Sequence, residues 1–470
     1  MGQATVVIIS EYQQAKQREE IRAQLHKAID EWIDKVDVGM KEPKPTLAEI
    51  TGEVFKLRQE LTAAVTKTLI AGRYEQEQEQ QYFQCPKCSR CLSERGNPGR
   101  NVETMVGIIE IKRPYFYCEK CHESYYPMDE ALQLSHRRKQ ADIKEAMVKL
   151  TKEVPYETAC ELLEDLTGIK VSTETAHEMT QEVACGLGVL DVSPSREEIL
   201  KKIEEAAADK TWRPILALAI DGADTPTRPE SARGQRKGRK KVRAKRARWQ
   251  GEWKEAKGFR FYLVLKDRIE HLISWHQIGD YEQIYDALKE IKKAELMPED
   301  KVRLCILADG AHWIWDRIKE ELFPTAKEIL DYYHCSEYIY RVANNQYLDH
   351  PDLALEWVEA TMIRLFCGEA SSVIWGLQRM NPRDEQAANE IERTIVYLTN
   401  NQHRIDYNAA RKGGYPIGSG GIESANKFIC HVRLKRSGAW WYIPNGNHML
   451  ALRCAKYNGT FERVCRRIRR

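Results

Sequence analysis

The sequence predicts an α/β protein whose core is a mixed sheet, interrupted by a helical insertion and preceded by cysteine-containing and helical regions. Strand-sized apolar runs alternate with amphipathic helices from residue 212 onward, two Cys-x-x-Cys pairs precede them, and a helix–turn–helix pattern lies between. The 470 residues are 42% apolar and 30% charged. This ordinary balance excludes a largely disordered or fibrous chain.

The N-terminal 130 residues divide into a helical arm and a cysteine module. Residues 1–80 are expected to be helical, with a break at Pro43 and Pro45. Residues 81–130 contain the pairs Cys85/Cys88 and Cys118/Cys121. Two such turns complete a tetrahedral zinc site, so we expect a zinc ribbon with a structural Zn²⁺ and strands at 104–111 and 112–117. Two further residues are rival ligands, Cys91 and His122.

All thirteen cysteines lie in a chain without an export signal at its start. Metal ligation is therefore favoured over a disulfide framework. The same observation, with no apolar run of about 20 residues, leads us to expect a cytoplasmic, nucleoid-associated protein.

Residues 131–205 form the next region, a possible helix-turn-helix DNA-binding domain. A helix at 156–166 ends at Gly168, and Ser172 is a suitable N-cap for a second helix at 173–184. The acidic side chains of the second helix would repel phosphate. A DNA-reading face would therefore have to use Thr173, His177, Thr180 and Gln181. A plain helical connector is the alternative.

Five apolar runs follow, at 215–220, 259–266, 271–277, 302–308 and 326–333. Amphipathic helices are expected at 280–294 and 311–322. Three strands, helix, strand, helix, strand is the order of an RNase H-like core. We expect this core at 206–336, a helical insertion at 337–410, and the return of the core with a basic tail at 411–470.

Two of these strands lead into an Asp-Gly pair, Asp221-Gly222 and Asp309-Gly310. Open α/β sheets bind ligands at the carboxyl ends of their strands, and two adjacent carboxylates call for a neutralising cation such as Mg²⁺. A lone Asp-Gly is usually only a turn. Glu423, in a glycine-rich turn that opens a helix, is the preferred third carboxylate, and Glu337 is its rival.

The net charge is +3, yet residues 233–248 hold ten Lys or Arg and no acid. A localised basic block points to a polyanion; a solvated loop is the alternative. Trp440, Trp441 and Tyr442 either stack on a base or pack in the core. We expect phosphate contacts from Arg236, Lys237, Arg239, Lys240, Lys241, Arg243, Lys245, Arg246, Lys427, Arg433, Lys435 and Arg436.

The segments AIDGADT, ILADGAHWIW, DYYHCSEY and YPIGSGGIESANKFI resemble the DDE transposases of bacterial insertion sequences. The likeness is closest to the ISKra group, with kinship to the Mutator-like branch, and covers roughly residues 212–453. The branch carries a D-x-x-H element after the fifth strand, which Asp331 and His334 match. It also has a helical insertion before the Glu.

The resemblance implies that Asp221, Asp309 and Glu423 are the catalytic triad and hold two Mg²⁺ (or Mn²⁺) ions about 3.5–4 Å apart. It implies cleavage of transposon ends and their joining to target DNA, on double-stranded DNA and in a homo-oligomeric complex. His312 or His334 would support the scissile phosphate, unless they are merely structural. Two alternatives remain, a structure-specific nuclease that cuts without joining and an inactive, zinc-containing DNA-binding regulator.

Overall fold

The computed structural model describes residues 2–208, 212–230 and 251–469, with side chains from residue 16 to 468. These residues form two compact units. Unit 1 contains residues 1–183 and 465–470, and unit 2 contains residues 184–464. The basic residues expected at positions 236–246 lie outside the described residues.

Unit 1 begins with a long helical hairpin. Helix α1 (Gly2–Gly39) and helix α2 (Leu47–Arg73) flank the two prolines, and the short α3 (Glu75–Gln78) follows. Thr46 caps α2 through a reciprocal bond with Glu49. The proline break predicted for this arm is confirmed.

Three two-stranded sheets follow in unit 1. Their strands are β1 (Tyr82–Gln84) with β2 (Cys91–Ser93), β3 (Gly99–Thr104) with β4 (Gly107–Lys112), and β5 (Phe116–Cys118) with β6 (Glu123–Tyr125). The expected hairpin between 104–111 and 112–117 was therefore wrong in register. The turn lies at Met105 and Val106, where Gly107 adopts a φ of 117°. The chain after β4 meets Pro114, which has no N–H to donate to a strand pair.

Four helices complete the main part of unit 1: α4 (Pro127–Ala131), α5 (Ala141–Thr151), α6 (Tyr156–Thr167) and α7 (Thr173–Ala184). Gly168 ends α6 in the left-handed region, with a φ of 75°. The Ser172 hydroxyl accepts a hydrogen bond from the Thr175 amide at 3.2 Å. The predicted helix–turn–helix pattern is therefore present as local structure.

Unit 2 is built on a five-stranded mixed sheet in the order β11-β10-β7-β8-β9. The strands are β7 (Ile215–Thr227), β8 (Glu252–Val264), β9 (Ile269–Ile278), β10 (Arg303–Ala308) and β11 (Lys327–Leu330). Strands β7, β8 and β9 pair antiparallel, whereas β10 runs parallel to both β7 and β11. The expectation of an α/β chain with a mixed sheet is confirmed.

Two strand boundaries differ from the sequence-based expectation. Strand β7 does not end at Asp221. Its parallel pairing with β10 stops at Ala219, but its antiparallel pairing with β8 continues to Thr227. Strand β11 ends at Leu330, not at residue 333, because Asp331 caps a helix through the Tyr333 amide. Asp331 therefore stands at the point where the strand becomes a helix.

Helices surround this sheet. Before and within it lie α8 (Val189–Val192), α9 (Arg196–Ala207), α10 (Tyr281–Lys293) and a π-helix (Ile314–Leu322). The region of the expected insertion holds α11 (Tyr332–Gln346), α12 (Pro351–Phe366), α13 (Ala370–Gln378), α14 (Glu385–Asn400) and α15 (Tyr407–Lys412). The chain ends with α16 (Gly420–Asn426), a π-turn (Lys427–His431), α17 (Val432–Leu434), α18 (Ile443–Tyr457) and α19 (Phe461–Arg466).

Candidate functional site

Three aspartates stand level across three neighbouring parallel strands of unit 2. The register pairs Leu307 with Ala219, so two residues further on Asp309 lies opposite Asp221. It also pairs Ala308 with Leu330, so the next step places Asp309 opposite Asp331. The three residues therefore form an acidic row just past the level where the parallel pairing of β7, β10 and β11 stops.

The Asp221 carboxyl in this row has a raised pKa. Burial raises the pKa of its carboxyl to about 6, against the opposing effects of a Gly222 backbone hydrogen bond and His334. The charges of Asp309 and Asp331 raise this pKa further. A buried carboxylate beside two others holds its charge poorly without a cation.

Two buried side chains, the Asn426 amide and the His276 imidazole, connect to Asp221 through successive hydrogen bonds. The Asn426 Nδ2 donates to Asp221 Oδ2 at 2.9 Å, and the Asn426 Oδ1 lies 2.8 Å from His276 Nε2. Burial lowers the pKa of His276 to about 4, so the ring is neutral near pH 7. Its Nε2–H therefore donates to Asn426, which fixes the amide with its NH₂ toward Asp221.

Gly258 leaves room for the His276 ring in this position, since a Cβ on residue 258 would lie 2.2 Å from that ring. Sequence reasoning did not single out Asn426. Its position one turn after Glu423 on the same short helix was the available signal.

Glu423 lies in the first turn of α16 and is exposed. The Ser419 hydroxyl donates to its Oε1 at 2.9 Å, and the Ser419 amide donates to Asp331 Oδ1, also at 2.9 Å. The glycine-rich turn therefore connects Glu423 to the acidic row. The rival Glu337 lies on α11, with its Oε1 3.9 Å from His334 Nδ1.

The two candidate histidines differ in position. The His334 Nε2 lies 3.9 Å from Asp221 Oδ1 and 3.8 Å from Asp331 Oδ2. His312 is exposed and lines a cavity of about 1140 Å³ beside Asp309. Of the two, His334 is the one in contact with the acidic row.

Helix α14 contacts the Asp309-Gly310 turn. A Cβ on Gly310 would lie 2.6 Å from Tyr397 Cε2, and Tyr397 stacks on Tyr338 with ring centroids 3.8 Å apart. Gly310 therefore leaves room for the Tyr397 ring, and α14 packs against the turn that carries Asp309.

The donor types of the acidic row suit a hard divalent cation, but their spacing in the structure is wider than one metal ion requires. Asp331 is 1% exposed, and its Oδ2 is buried with no hydrogen-bond partner. Carboxylate oxygens are the ligands that Mg²⁺ prefers. Among the described residues, no three of these acidic and histidine groups bring their ligand atoms within 4.8 Å of one another.

The four predicted cysteines of unit 1 do form such a compact cluster, which can hold a metal ion such as zinc. Their sulfurs lie within 4.8 Å of one another, with Cys85–Cys121 at 3.9 Å and Cys88–Cys118 at 3.6 Å. Bonds of 2.3 Å in a tetrahedral zinc site imply sulfur separations of about 3.8 Å.

The two Cys-x-x-Cys turns have the same backbone design. The Ser89 amide donates to the Cys85 carbonyl at 2.9 Å and the His122 amide to the Cys118 carbonyl at 2.8 Å. Both donor residues have positive φ angles, 57° and 56°. The rival ligands Cys91 and His122 are not members of the cluster.

The described basic candidates fall into two groups. Lys427, Lys435 and Arg436 are exposed, whereas Arg433 is 3% exposed, with its guanidinium over the Trp441 ring. The expectation that Arg433 contacts phosphate was therefore wrong, because the side chain is packed in the core. Trp441 and Tyr442 are also buried, which favours the packing alternative for them.

The face of α7 that was expected to read DNA is also partly buried. Thr180 is fully buried, with its hydroxyl 2.8 Å from that of Thr151, and His177 packs edge-on against Tyr156. The exposed Glu178 and Glu182 form ion pairs with Arg137. Thr180 is therefore unavailable to a ligand, whereas Thr173 is exposed, so DNA reading by this face stays a prediction.

Comparison with known proteins identifies the family of this chain. The model of the family described as "Uncharacterised protein family (UPF0236)" matches residues 46–470, and the chain belongs to that family. A relative from Streptococcus gallolyticus, "UPF0236 protein in vanSb 3'region", is 24% identical over 374 residues. The match covers 77% of this chain and 74% of that protein.

The described helices do not have the properties of a membrane span. None of them is both long enough and apolar enough to cross a bilayer.

Proposed function

We propose that this protein is a metal-dependent DNA transposase with an RNase H-like core, which cleaves the ends of an insertion sequence and joins them to target DNA. The observation that carries the proposal is the acidic row, which lies just past the level where the parallel pairing of β7, β10 and β11 stops. The strand order β9-β8-β7-β10-β11, with one parallel step on each side of β10, supports the RNase H-like assignment. The motif resemblance supports the transposase assignment.

In this proposal Asp221, Asp309 and Glu423 would hold the catalytic Mg²⁺ or Mn²⁺ ions. When bound, such ions activate water or a DNA 3′-hydroxyl and stabilise the leaving 3′ oxygen. The neighbouring residues orient the carboxylates. Asn426 leaves one oxygen of Asp221 for the metal by occupying the other, and the Ser419 hydroxyl restrains Glu423 in the same way.

His334 is suited to the phosphate side of this site. Its imidazole lies within 4 Å of two carboxylates and is half-buried, so it is accessible to a DNA strand that approaches the row. The open cavity beside Asp309 offers space for that strand, and its lining includes Arg341 and Arg393.

The basic segment at 233–248 would contact the DNA backbone. It connects β7 and β8, whose ends Thr227 and Glu252 are paired. Thr227 lies six residues beyond Asp221 along β7, a distance of about 20 Å at 3.3 Å per residue. Phosphate contacts from this segment would give binding that weakens steeply with salt and carries no sequence information.

The test is incubation of the purified protein with candidate element ends, Mg²⁺ or Mn²⁺ and a target plasmid, followed by sequencing of the products. We expect joined products from the native chain and loss of cleavage with retained DNA binding in Asp309→Asn. Retained cleavage in Asp309→Asn contradicts the metal assignment. Cleavage without any joined product favours the nuclease alternative.

The identity of the third carboxylate needs its own pair of variants. Glu423→Gln is expected to abolish cleavage, and Glu337→Gln to leave it largely intact. The opposite result would transfer the role to Glu337.

A further inference from the structure

The helical hairpin of unit 1 leaves much of its apolar surface exposed. Among the described residues, seven large apolar side chains between positions 29 and 55 are exposed, and Val36 is the one that is buried in that stretch. The two helices are 38 and 27 residues long. Helices in proteins owe most of their stability to the burial of one apolar face. Part of the apolar surface of this hairpin therefore lacks a partner.

The inner face of α1 packs on α2. Its partly or fully buried side chains follow one another at steps of three or four residues, which keeps them on one face: Ile21, Leu25, Ala28, Trp32 and Val36. The Trp32 indole nitrogen donates to the Leu57 carbonyl at 3.0 Å. An ion pair between Lys35 and Glu60 lies along one side of this contact.

A second apolar stripe lies on the opposite side of the hairpin. On α1 it contains Ile29 and Ile33, which are 39% and 51% exposed and about one turn apart. Ile29 and Val54 each stand six residues before a member of the Lys35–Glu60 ion pair. At about 100° per residue, both are turned about 120° away from that pair. Because the helices are antiparallel, both side chains lie on the side of the hairpin that the ion pair does not cover.

Charged residues continue the α1 stripe at both ends. Arg22 stands seven residues before Ile29, and Asp37 stands four residues after Ile33, spacings that keep all four residues on one side of the helix. Both charged side chains are exposed. The ion pairs of α1 among the described side chains use other residues, namely Lys16–Glu20, Lys27–Glu31 and Lys35–Glu60. The stripe therefore has a cation on one side of its apolar centre and an anion on the other.

We infer that this stripe is the contact surface of a homodimer, in which α1 packs antiparallel on α1 of a second copy of the chain. A two-fold axis midway between Ile29 and Ile33 places Ile29 of each copy opposite Ile33 of the other. At a rise of 1.5 Å per residue, Arg22 lies about 13.5 Å from the axis on one side and Asp37 about 9 Å on the other. The long Arg22 side chain of one copy therefore reaches Asp37 of the other.

The charges favour a second copy in this orientation over a parallel one. A two-fold contact is isologous, so the pair between Arg22 and Asp37 forms twice. In a parallel arrangement Arg22 would face Arg22 and Asp37 would face Asp37, which is unfavourable. The inference goes beyond the proposed function and does not depend on it, because it concerns the chain alone, without DNA and without a metal at the acidic row.

The first experiment is sedimentation velocity of the full-length, zinc-loaded protein without DNA, over a series of protein concentrations. We expect the native chain to form dimers. Ile33→Glu places a carboxylate at the centre of the contact and should raise the dissociation constant by about thirtyfold or more, as at the central residues of other interfaces. Val38→Glu is the matched control, since Val38 is 85% exposed and lies about 140° from Ile33 around α1. A native chain that stays monomeric, or an Ile33→Glu protein that dimerises like the native chain, overturns the inference.

Charge reversal tests the antiparallel orientation. Arg22 and Asp37 are 15 residues apart on one helix, or about 22 Å, so they cannot pair within one chain. Arg22→Asp and Asp37→Arg should each weaken self-association by about fivefold to tenfold, because each change replaces two attractive pairs with two repulsive ones. The double variant Arg22→Asp/Asp37→Arg should recover native self-association. A double variant at least as weak as the single variants overturns the antiparallel dimer.

Circular dichroism separates dissociation from unfolding. Arg22 and Asp37 are exposed, so their variants should keep the helix content of the native chain. If Ile33→Glu loses helix content, the charge-reversal set decides, because the double variant contains the same two charged side chains as the native stripe. Recovery by the double variant supports the dimer, and its failure overturns the inference.

Discussion

Replacing Asp221 with Asn should stabilise the metal-free protein while abolishing its activity. Burial raises the pKa of this carboxyl from 3.8 to about 6. Because the folded-state pKa is raised, the native state binds the proton more tightly than the unfolded chain does. The free energy of unfolding therefore falls as pH rises from about 4 to about 6, and it stays lowered by the same amount above pH 6.

The size of the effect follows from the same shift. About two pKa units correspond to about 3 kcal/mol, for a side chain that is 21% exposed. Asp221→Asn has no charge to bury, and its Oδ1 can still accept from Asn426. At pH 7 we expect it to be more stable than the native chain by up to about 3 kcal/mol, or about 6–10 °C for a domain of this size.

The assay is thermal unfolding followed by circular dichroism from pH 4 to pH 8, without Mg²⁺ and without a chelator, since a chelator would also remove zinc from the cysteine cluster. The two melting temperatures should converge near pH 4 and separate as pH rises. Asp286→Asn on α10 is the control and should follow the native curve. An Asp221→Asn protein that is less stable at pH 7, or a difference that does not vary with pH, would refute the burial argument.

Two further predictions concern the supports of the two sites. Asn426→Ala removes one hydrogen bond to the Asp221 carboxylate and one to His276, so it should lower the free energy of unfolding by about 2–4 kcal/mol in urea titrations. The exposed Asn344→Ala is its control. Equal stabilities of the two variants would show that the Asn426 hydrogen bonds contribute nothing to folding. Cys88→Ser should reduce bound zinc, measured by mass spectrometry, well below one ion per chain and lower the unfolding temperature of unit 1. Cys91→Ser should retain the zinc, and loss of zinc there would make Cys91 a ligand after all.

Much of the local structure could be predicted from the sequence because its causes are local. The turns at Pro43, Gly168 and Ser172 depend on the residues that form them, and the structure has helices that begin and end there. The Cys-x-x-Cys turns are local as well. Their pairing into one cluster was predictable because thiolates at that spacing have few other uses in a chain of this kind.

Strand register and burial could not be predicted in the same way. The continuation of β7 past Asp221 depends on its antiparallel partner β8, which begins more than twenty residues later. The burial of Arg433 and Thr180 depends on Trp441 and Thr151, which lie elsewhere in the chain. Residue type alone favoured exposure at both positions.

The sequence by itself predicted Asp221 and Asp309 as candidate metal ligands, because an apolar strand that leads into Asp-Gly is a local pattern. Only the tertiary structure decided that Asp331 and Asn426 join them. Their proximity arises from the alignment of β7, β10 and β11 and from the packing of α16 on that sheet. Such contacts between residues about 20 to 205 positions apart depend on the register of whole strands, which no local pattern specifies.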